Sequence, residues 1–161
     1  MTFDTIPYLT GRYLYPVKLT VMTIPEQKDF IRHYIDTVWN QGNTSSLTQF
    51  LHPAYVDHSL PPAFPADANG LRQWIALTHE SFQPATVIEE QVDEPGRCIL
   101  RISMHMKHIG LWRGIAPTGL TVTIPGYRCF RLQDDRIIEH RALIDGNALE
   151  KKLQKGGEGS K

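Results

Sequence analysis

The sequence predicts an α+β fold, with three helices in the first half and a curved antiparallel sheet of about four strands in the second. Three observations predict it. Apolar residues recur at spacings of three and four from Phe30 to Trp39 and again from Leu71 to Phe82. Apolar and polar residues alternate strictly from Cys98 to His108. Near the C-terminus two apolar, β-branched runs flank the polar tip Gln133-Asp134-Asp135, which is a hairpin pattern, and the returning run ends at Asp145. Helices laid on a strongly curved sheet enclose a cavity, and such cavities hold small molecules.

The first helix opens on a capping box, Thr23 with Glu26, with Pro25 in the first turn. Phe30, Ile31, Tyr34, Ile35, Val38 and Trp39 form its apolar face, and Gly42 stops it. A short second helix spans about Thr44 to Leu51, with Pro53 after it. The stretch from His52 to Pro65 is proline-rich, with a short extended piece from Tyr55 to His58. A third helix runs from about Gly70 to Phe82, with Asn69 as its cap. Thr86 to Val92 is the first strand of the meander. Pro95-Gly96 sits at the centre of a type II turn into the alternating strand Cys98 to His108. A glycine-containing loop leads to a strand from Leu120 to Leu132, in which Pro125-Gly126 reads as a bulge. Residues 1–22 read as an N-terminal extension or arm, because Pro7 and Pro16 interrupt their extended character. Residues 23–155 form the domain, and residues 156–161 a flexible tail.

Composition excludes several functions. Lysine plus arginine equal aspartate plus glutamate at 17 each, so no broad electrostatic capture of nucleic acid or anionic membrane is expected. No apolar run reaches the roughly 18–20 residues of a membrane span, and no secretory signal is visible. Cys98 and Cys129 lack metal-type spacing and read as reduced, half-buried thiols. The expectation is a soluble cytoplasmic protein. No phosphate-binding glycine loop, paired-histidine helix motif or Gly-x-Ser-x-Gly elbow is present, and the scattered histidines do not predict a metal site.

Several positions have a functional reading beside a structural one. His108 ends the apolar face of its strand, so it is either a core histidine bonded to a backbone carbonyl or a polar group at one end of a pocket. Asp145 either caps a following helix or transfers protons at a pocket mouth, and an ionised cap allows both. Asp57 and His58 are adjacent in an extended segment, so only one of them faces a given pocket. His140 alternates with Ile138, Ala142 and Ile144. Strand parity places Asp145 with Arg141 and Leu143 instead, unless a bulge exchanges the faces. Met104, Met106, Trp112 and Phe64 suit an apolar lining or plain core.

From Phe30 to about Leu153 the chain resembles the SnoaL-like polyketide cyclases, within the NTF2-like, ketosteroid-isomerase-like superfamily. Four pieces in order carry the likeness: Leu51-His-Pro-Ala-Tyr-Val-Asp-His58; Gly70-Leu-Arg-Gln-Trp-Ile; Lys107-His108-Ile-Gly110 with Gly114-Ile-Ala-Pro-Thr-Gly119; and Asp135-Arg-Ile-Ile-Glu-His-Arg-Ala-Leu-Ile-Asp145. The resemblance implies an NTF2-like cone with a deep pocket, a homodimer, and an aldol condensation without metal or cofactor. It implies that Asp145 is the acid/base and that His58 and His108 are pocket histidines. A further family histidine falls at about Arg128 here, a departure from the pattern. Asp57, Met104, Met106, Trp112, Arg128 and Phe64 are the candidate substrate contacts. The expected ligand is a small, mostly apolar carbonyl compound, and the expected chemistry is proton transfer of cyclase or isomerase type. An epoxide hydrolase of the superfamily resembles the fold but uses Arg-x-Asp where this chain has His108-Ile-Gly110. A ketosteroid isomerase places its base at about Asp57 but has a second acid with no match here. A third reading is a non-catalytic binding or dimerisation module.

Overall fold

The structure is a computed structural model that describes residues 22–158. The expected N-terminal arm lies outside the described residues, Met22 excepted. Helix α1 spans Ile24–Tyr34 and continues through a π-helical turn, Ile35–Asn40. The expected capping box is formed: Thr23 N donates to Glu26 Oε2 at 2.8 Å, and Glu26 N to Thr23 Oγ1 at 3.4 Å. A 3₁₀ turn, Thr44–Ser46, leads into the short α2, Leu47–Phe50. Then follow β1 (Leu51–Asp57), α3 (Ala68–Ser81), β2 (Phe82–Glu94), β3 (Arg97–His108), β4 (Thr121–Gln133), β5 (Arg136–Ile144) and α4 (Gly146–Glu158). Helix α4 therefore runs three residues into the stretch read as a tail.

The five strands form one curved sheet in the order β1-β5-β4-β3-β2. The meander β2 to β5 is antiparallel throughout. The fifth strand, β1, pairs parallel to β5 at the sheet edge. This parallel pairing is absent from the sequence expectation, because no local turn signals a pairing across about eighty residues. Its register sets Asp57 opposite His140. Pro53 is tolerated because β1 is an edge strand.

Alternation places the core as expected. Cys98, Leu100, Ile102, Met104, Met106 and His108 are all buried on one face of β3. Helices α1 and α3 pack over that face, with Ile31, Tyr34, Ile35, Leu71 and Ile75 as their buried side chains. Gln27 fastens α1 to the β2–β3 hairpin: its Nε2 donates to the carbonyls of Glu94 (3.1 Å) and Arg97 (2.9 Å), and its Oε1 accepts from Gly96 N (2.9 Å).

Two local expectations are corrected. Pro125-Gly126 is not a bulge, since the β3–β4 register passes through both residues without a shift. Strand β5 ends opposite Gly126, at Ile144, so Pro125 has no β5 partner for a missing N–H. The bulge of this hairpin falls at Ile138, where Arg131 pairs with Glu139 but Leu132 with Ile137. Helix α3 is capped by Asp67, not Asn69: its carboxylate accepts from Asn69 N (2.9 Å) and Gly70 N (3.0 Å).

The proline-rich loop passes so close to α3 that a Cβ on Gly70 would sit 1.7 Å from the carbonyl oxygen of Pro65. Gly70→Ala is therefore expected to lower the unfolding free energy by about 1–3 kcal/mol in urea denaturation. A Cβ on Gly146 meets open space, and Gly146→Ala should stay within about 0.5 kcal/mol of the parent.

Candidate active site

A cavity of about 230 Å³ lies between the inner face of the sheet and the helices. Strands β3 and β4 contribute Met104, Met106 and Ile124 to its apolar wall. The three tryptophans of the sequence, Trp39, Trp74 and Trp112, all line it. Its polar end is made by Asp57 from β1, Arg128 from β4 and His140 from β5.

These three side chains form one buried chain of hydrogen bonds. Arg128 is 2 % exposed, Asp57 2 % and His140 1 %. Arg128 Nη1 lies 3.3 Å from His140 Nε2, and His140 Nδ1 lies 2.8 Å from Asp57 Oδ2. A guanidinium only donates. The His140 Nε2 lone pair is therefore the acceptor, and the ring proton sits on Nδ1, donating to Asp57. Asp57 accepts three more hydrogen bonds: Tyr55 Oη to Oδ2 at 3.0 Å, and Ser59 N and Oγ to Oδ1 at 2.9 and 2.6 Å. Aromatic rings hold the other faces. The Arg128 guanidinium lies 3.6 Å from the Trp39 ring centroid, a cation–π contact. Phe130 stacks on His140 at 4.9 Å with 13° between the planes. The π-helical turn puts Trp39 in this place, as such turns often do beside functional sites.

The charge states follow from the surroundings. Burial alone would raise the Asp57 pKa, but the hydrogen bonds from His140 and Ser59 outweigh it and hold the carboxyl well below the usual range. Burial pushes the His140 imidazole down, against the pull of Asp57. Burial brings the Arg128 guanidinium down to about 10, which leaves it a cation at neutral pH. A neutral imidazole thus stands between a buried cation and a buried anion.

The sequence model of the family described as SnoaL-like polyketide cyclase matches residues 29–153. The chain belongs to the SnoaL-like polyketide cyclases. Solved structures share its fold at low identity. AclR, described as a putative hydroxylase from Streptomyces galilaeus, superposes with a TM-score of 0.72 at 22 % identity, covering 83 % of this chain and 98 % of that one. IdmH, a putative polyketide cyclase from Streptomyces antibioticus, gives 0.71 at 22 % identity, covering 80 % and 99 %. A putative polyketide cyclase from Acidithiobacillus ferrooxidans gives 0.73 at 17 % identity, covering 84 % and 99 %. No curated protein matches the sequence.

In this SnoaL-like chain, the structure gathers Asp57, Met104, Met106, Trp112 and Arg128 around the cavity. It does not bring Asp145, His108 and His58 together there. With the β5 bulge upstream of His140, parity carries His140, Ala142 and Ile144 inward and leaves Arg141, Leu143 and Asp145 outward. Asp145 is exposed, and its carboxylate caps α4 by accepting from Ala148 N at 2.9 Å. His58 points away from Asp57 and sits 3.6 Å from Glu139. His108 is fully buried beneath the cavity wall. Its Nδ1 accepts from Thr118 N at 3.2 Å, which fixes the loop between β3 and β4, and burial pushes its pKa down. Phe64 lies behind Trp74, with ring centroids 5.6 Å apart, and does not line the cavity. The residues missed as site components are His140, Trp39 and Trp74. His140 carried the clearest signal, a polar residue alternating with Ala142 and Ile144.

Two acid-side effects are expected. His140 and His108 have folded pKa values below their unfolded value near 6.5, so their stabilising contribution is present above that pH and is lost as pH falls below it. Asp57 adds a second loss below about pH 4. Thermal denaturation should give a midpoint that falls between about pH 7 and 5, with a shallower fall in His140→Gln. Asp57→Ala should cost about 2–5 kcal/mol at neutral pH, because it leaves the buried His140 Nδ1–H and Tyr55 hydroxyl without their acceptor.

Proposed function

We propose that this SnoaL-like protein catalyses cofactor-free proton transfer on a small, mostly apolar carbonyl compound, of aldol cyclase or isomerase type. The observation that carries this reading is the buried cation Arg128 on the cavity wall, hydrogen-bonded to a neutral histidine that lacks a proton on the same side. A substrate carbonyl oxygen entering the cavity replaces His140 Nε2 as the acceptor for Arg128 Nη1. That frees the Nε2 lone pair beside the carbon next to the carbonyl. Nε2 takes the α-proton, the C–H electron pair moves into a C=C bond, and the carbonyl π pair moves onto oxygen. The resulting enolate is held by Arg128. Asp57 accepts the hydrogen bond from Nδ1–H and stabilises the imidazolium, so it is a positioning residue. In an isomerase Nε2 returns the proton to another carbon. In a cyclase the enolate carbon adds to a second carbonyl of the same substrate, and the alkoxide takes the proton back.

Asp57 itself makes a poor base, since its oxygens already accept four hydrogen bonds and its pKa is depressed. The completeness of that bonding favours a second reading, a non-catalytic ligand-binding module in which the chain of bonds only shapes the pocket.

Exchange of α-protons in deuterated water, followed by proton NMR on small ketones and β-keto esters, separates these readings. Proton transfer predicts exchange above the buffer rate. His140→Gln should slow it by about 10²–10⁴-fold, and Arg128→Met by about 10²–10³-fold. Asp145→Asn should leave it within a few-fold of the parent. Exchange that survives His140→Gln but is abolished by Asp145→Asn would make the closing-strand aspartate the base. No exchange with any probe favours the binding module.

A further inference from the structure

The polar end of the cavity is unbalanced in its hydrogen bonding. Its carboxylate and imidazole acceptors are taken: four hydrogen bonds converge on Asp57, and His140 Nε2 is occupied by Arg128. Donors are left over. Arg128 Nε and Trp112 Nε1 are buried without an acceptor, although both residues line the cavity. A buried donor without a partner is costly, and native proteins rarely leave one.

The Arg128 cation also lacks a direct ion-pair partner in the same place. Among the described residues no carboxylate lies within ion-pair distance of the Arg128 guanidinium. Asp57 lies on the far side of the His140 ring, and its oxygens are engaged there. The other ionisable groups around Arg128 are Tyr34 and Tyr55, whose hydroxyl pKa values burial raises, so both are neutral phenols. The remaining charge on the cavity wall is another cation, Arg113, which pairs with Glu150.

We propose that the cavity binds its ligand as an oxyanion, a delocalised carboxylate or β-dicarbonyl enolate on an apolar body, with Arg128 as the counter-ion. This rests on the reading of the cavity as the substrate site and names the group that Arg128 holds: a carboxylate carried by the substrate, or the enolate that proton transfer to His140 generates. The planar guanidinium presents parallel donors that match a two-oxygen anion. The indoles of Trp74 and Trp112, in T-shaped contact at 5.8 Å, give the apolar body a rigid aromatic wall.

The test is equilibrium binding to the full chain at fixed neutral pH, read by tryptophan fluorescence, since all three tryptophans line the cavity. The carboxylate source is para-ethylbenzoate, compared with its neutral counterparts para-ethylbenzamide and para-ethylacetophenone. The enolate source is dimedone, an anion at neutral pH, compared with its enol methyl ether. At least one anion should bind about tenfold or more tightly than its neutral counterparts. The pair that shows the preference tells carboxylate from enolate. Arg128→Met should abolish the preference while keeping weak binding of the neutral probes, and Arg128→Lys should restore part of it. The wild-type comparison stands even if Arg128→Met fails to fold. Neutral probes binding as tightly as the anions, no anion binding at millimolar concentration, or a preference that survives in a folded Arg128→Met would each overturn the proposal. An intact anion preference without α-proton exchange would leave this inference standing and sink the catalytic one. Exchange that persists without an anion preference would do the reverse.

Discussion

The buried charge of Arg128 is the constraint on which the rest of the site depends. A guanidinium 2 % exposed under a layer of helices is tolerated only if its surroundings replace the water it has lost. Trp39 covers one face, His140 accepts from one nitrogen, and Asp57 supplies the opposite charge one ring away. Each partner comes from a different element. Trp39 is carried by the π-helical end of α1, His140 by β5, and Asp57 by the edge strand β1. Tyr55 and Ser59 then hold the Asp57 carboxylate in place. The fold and the site are thus specified together: the parallel β1–β5 pairing that closes the sheet edge also sets Asp57 against His140.

The architecture was legible because it is written in local signals. The capping box, the apolar helix faces, the alternation in β3 and the hairpin tip each act over a few residues, and each appears in the structure. The Asp134-Asp135 tip takes positive φ at both residues, 50° and 57°, as a two-residue hairpin turn requires. What the sequence could not show was pairing at long range. Asp57 and His140 are 83 residues apart, and only the register of a parallel pair joins them. The bulge location had a similar effect. At Pro125-Gly126 it would have been harmless to the β5 parity, and at Ile138 it is too, because it falls before His140. Parity therefore holds from His140 to Asp145 and turns Asp145 outward, where it caps α4.

Family resemblance and residue geometry gave different answers about the acid/base, and the difference is informative. The resemblance points to Asp145, His58 and His108. The mechanism we propose uses His140 and Arg128, and the resemblance sets a further histidine at about Arg128. His108 illustrates why a polar residue on an apolar strand face is ambiguous. It is buried as alternation requires, yet it serves the loop that carries Trp112 instead of lining the cavity itself. Structures of this fold include a putative hydroxylase beside putative cyclases, so the fold alone does not choose the reaction.

His140 stands neutral, with its proton on Nδ1 and its Nε2 lone pair accepting from Arg128, and in the proposed mechanism a ligand takes over that donor. Nitrogen NMR of the imidazole side chains tests this most directly. The His140 signals should show the neutral Nδ1–H tautomer at neutral pH, and Nε2 should shift when para-ethylbenzoate or dimedone binds. A proton on Nε2, an imidazolium at neutral pH, or a His140 that does not respond to a bound anion would contradict this.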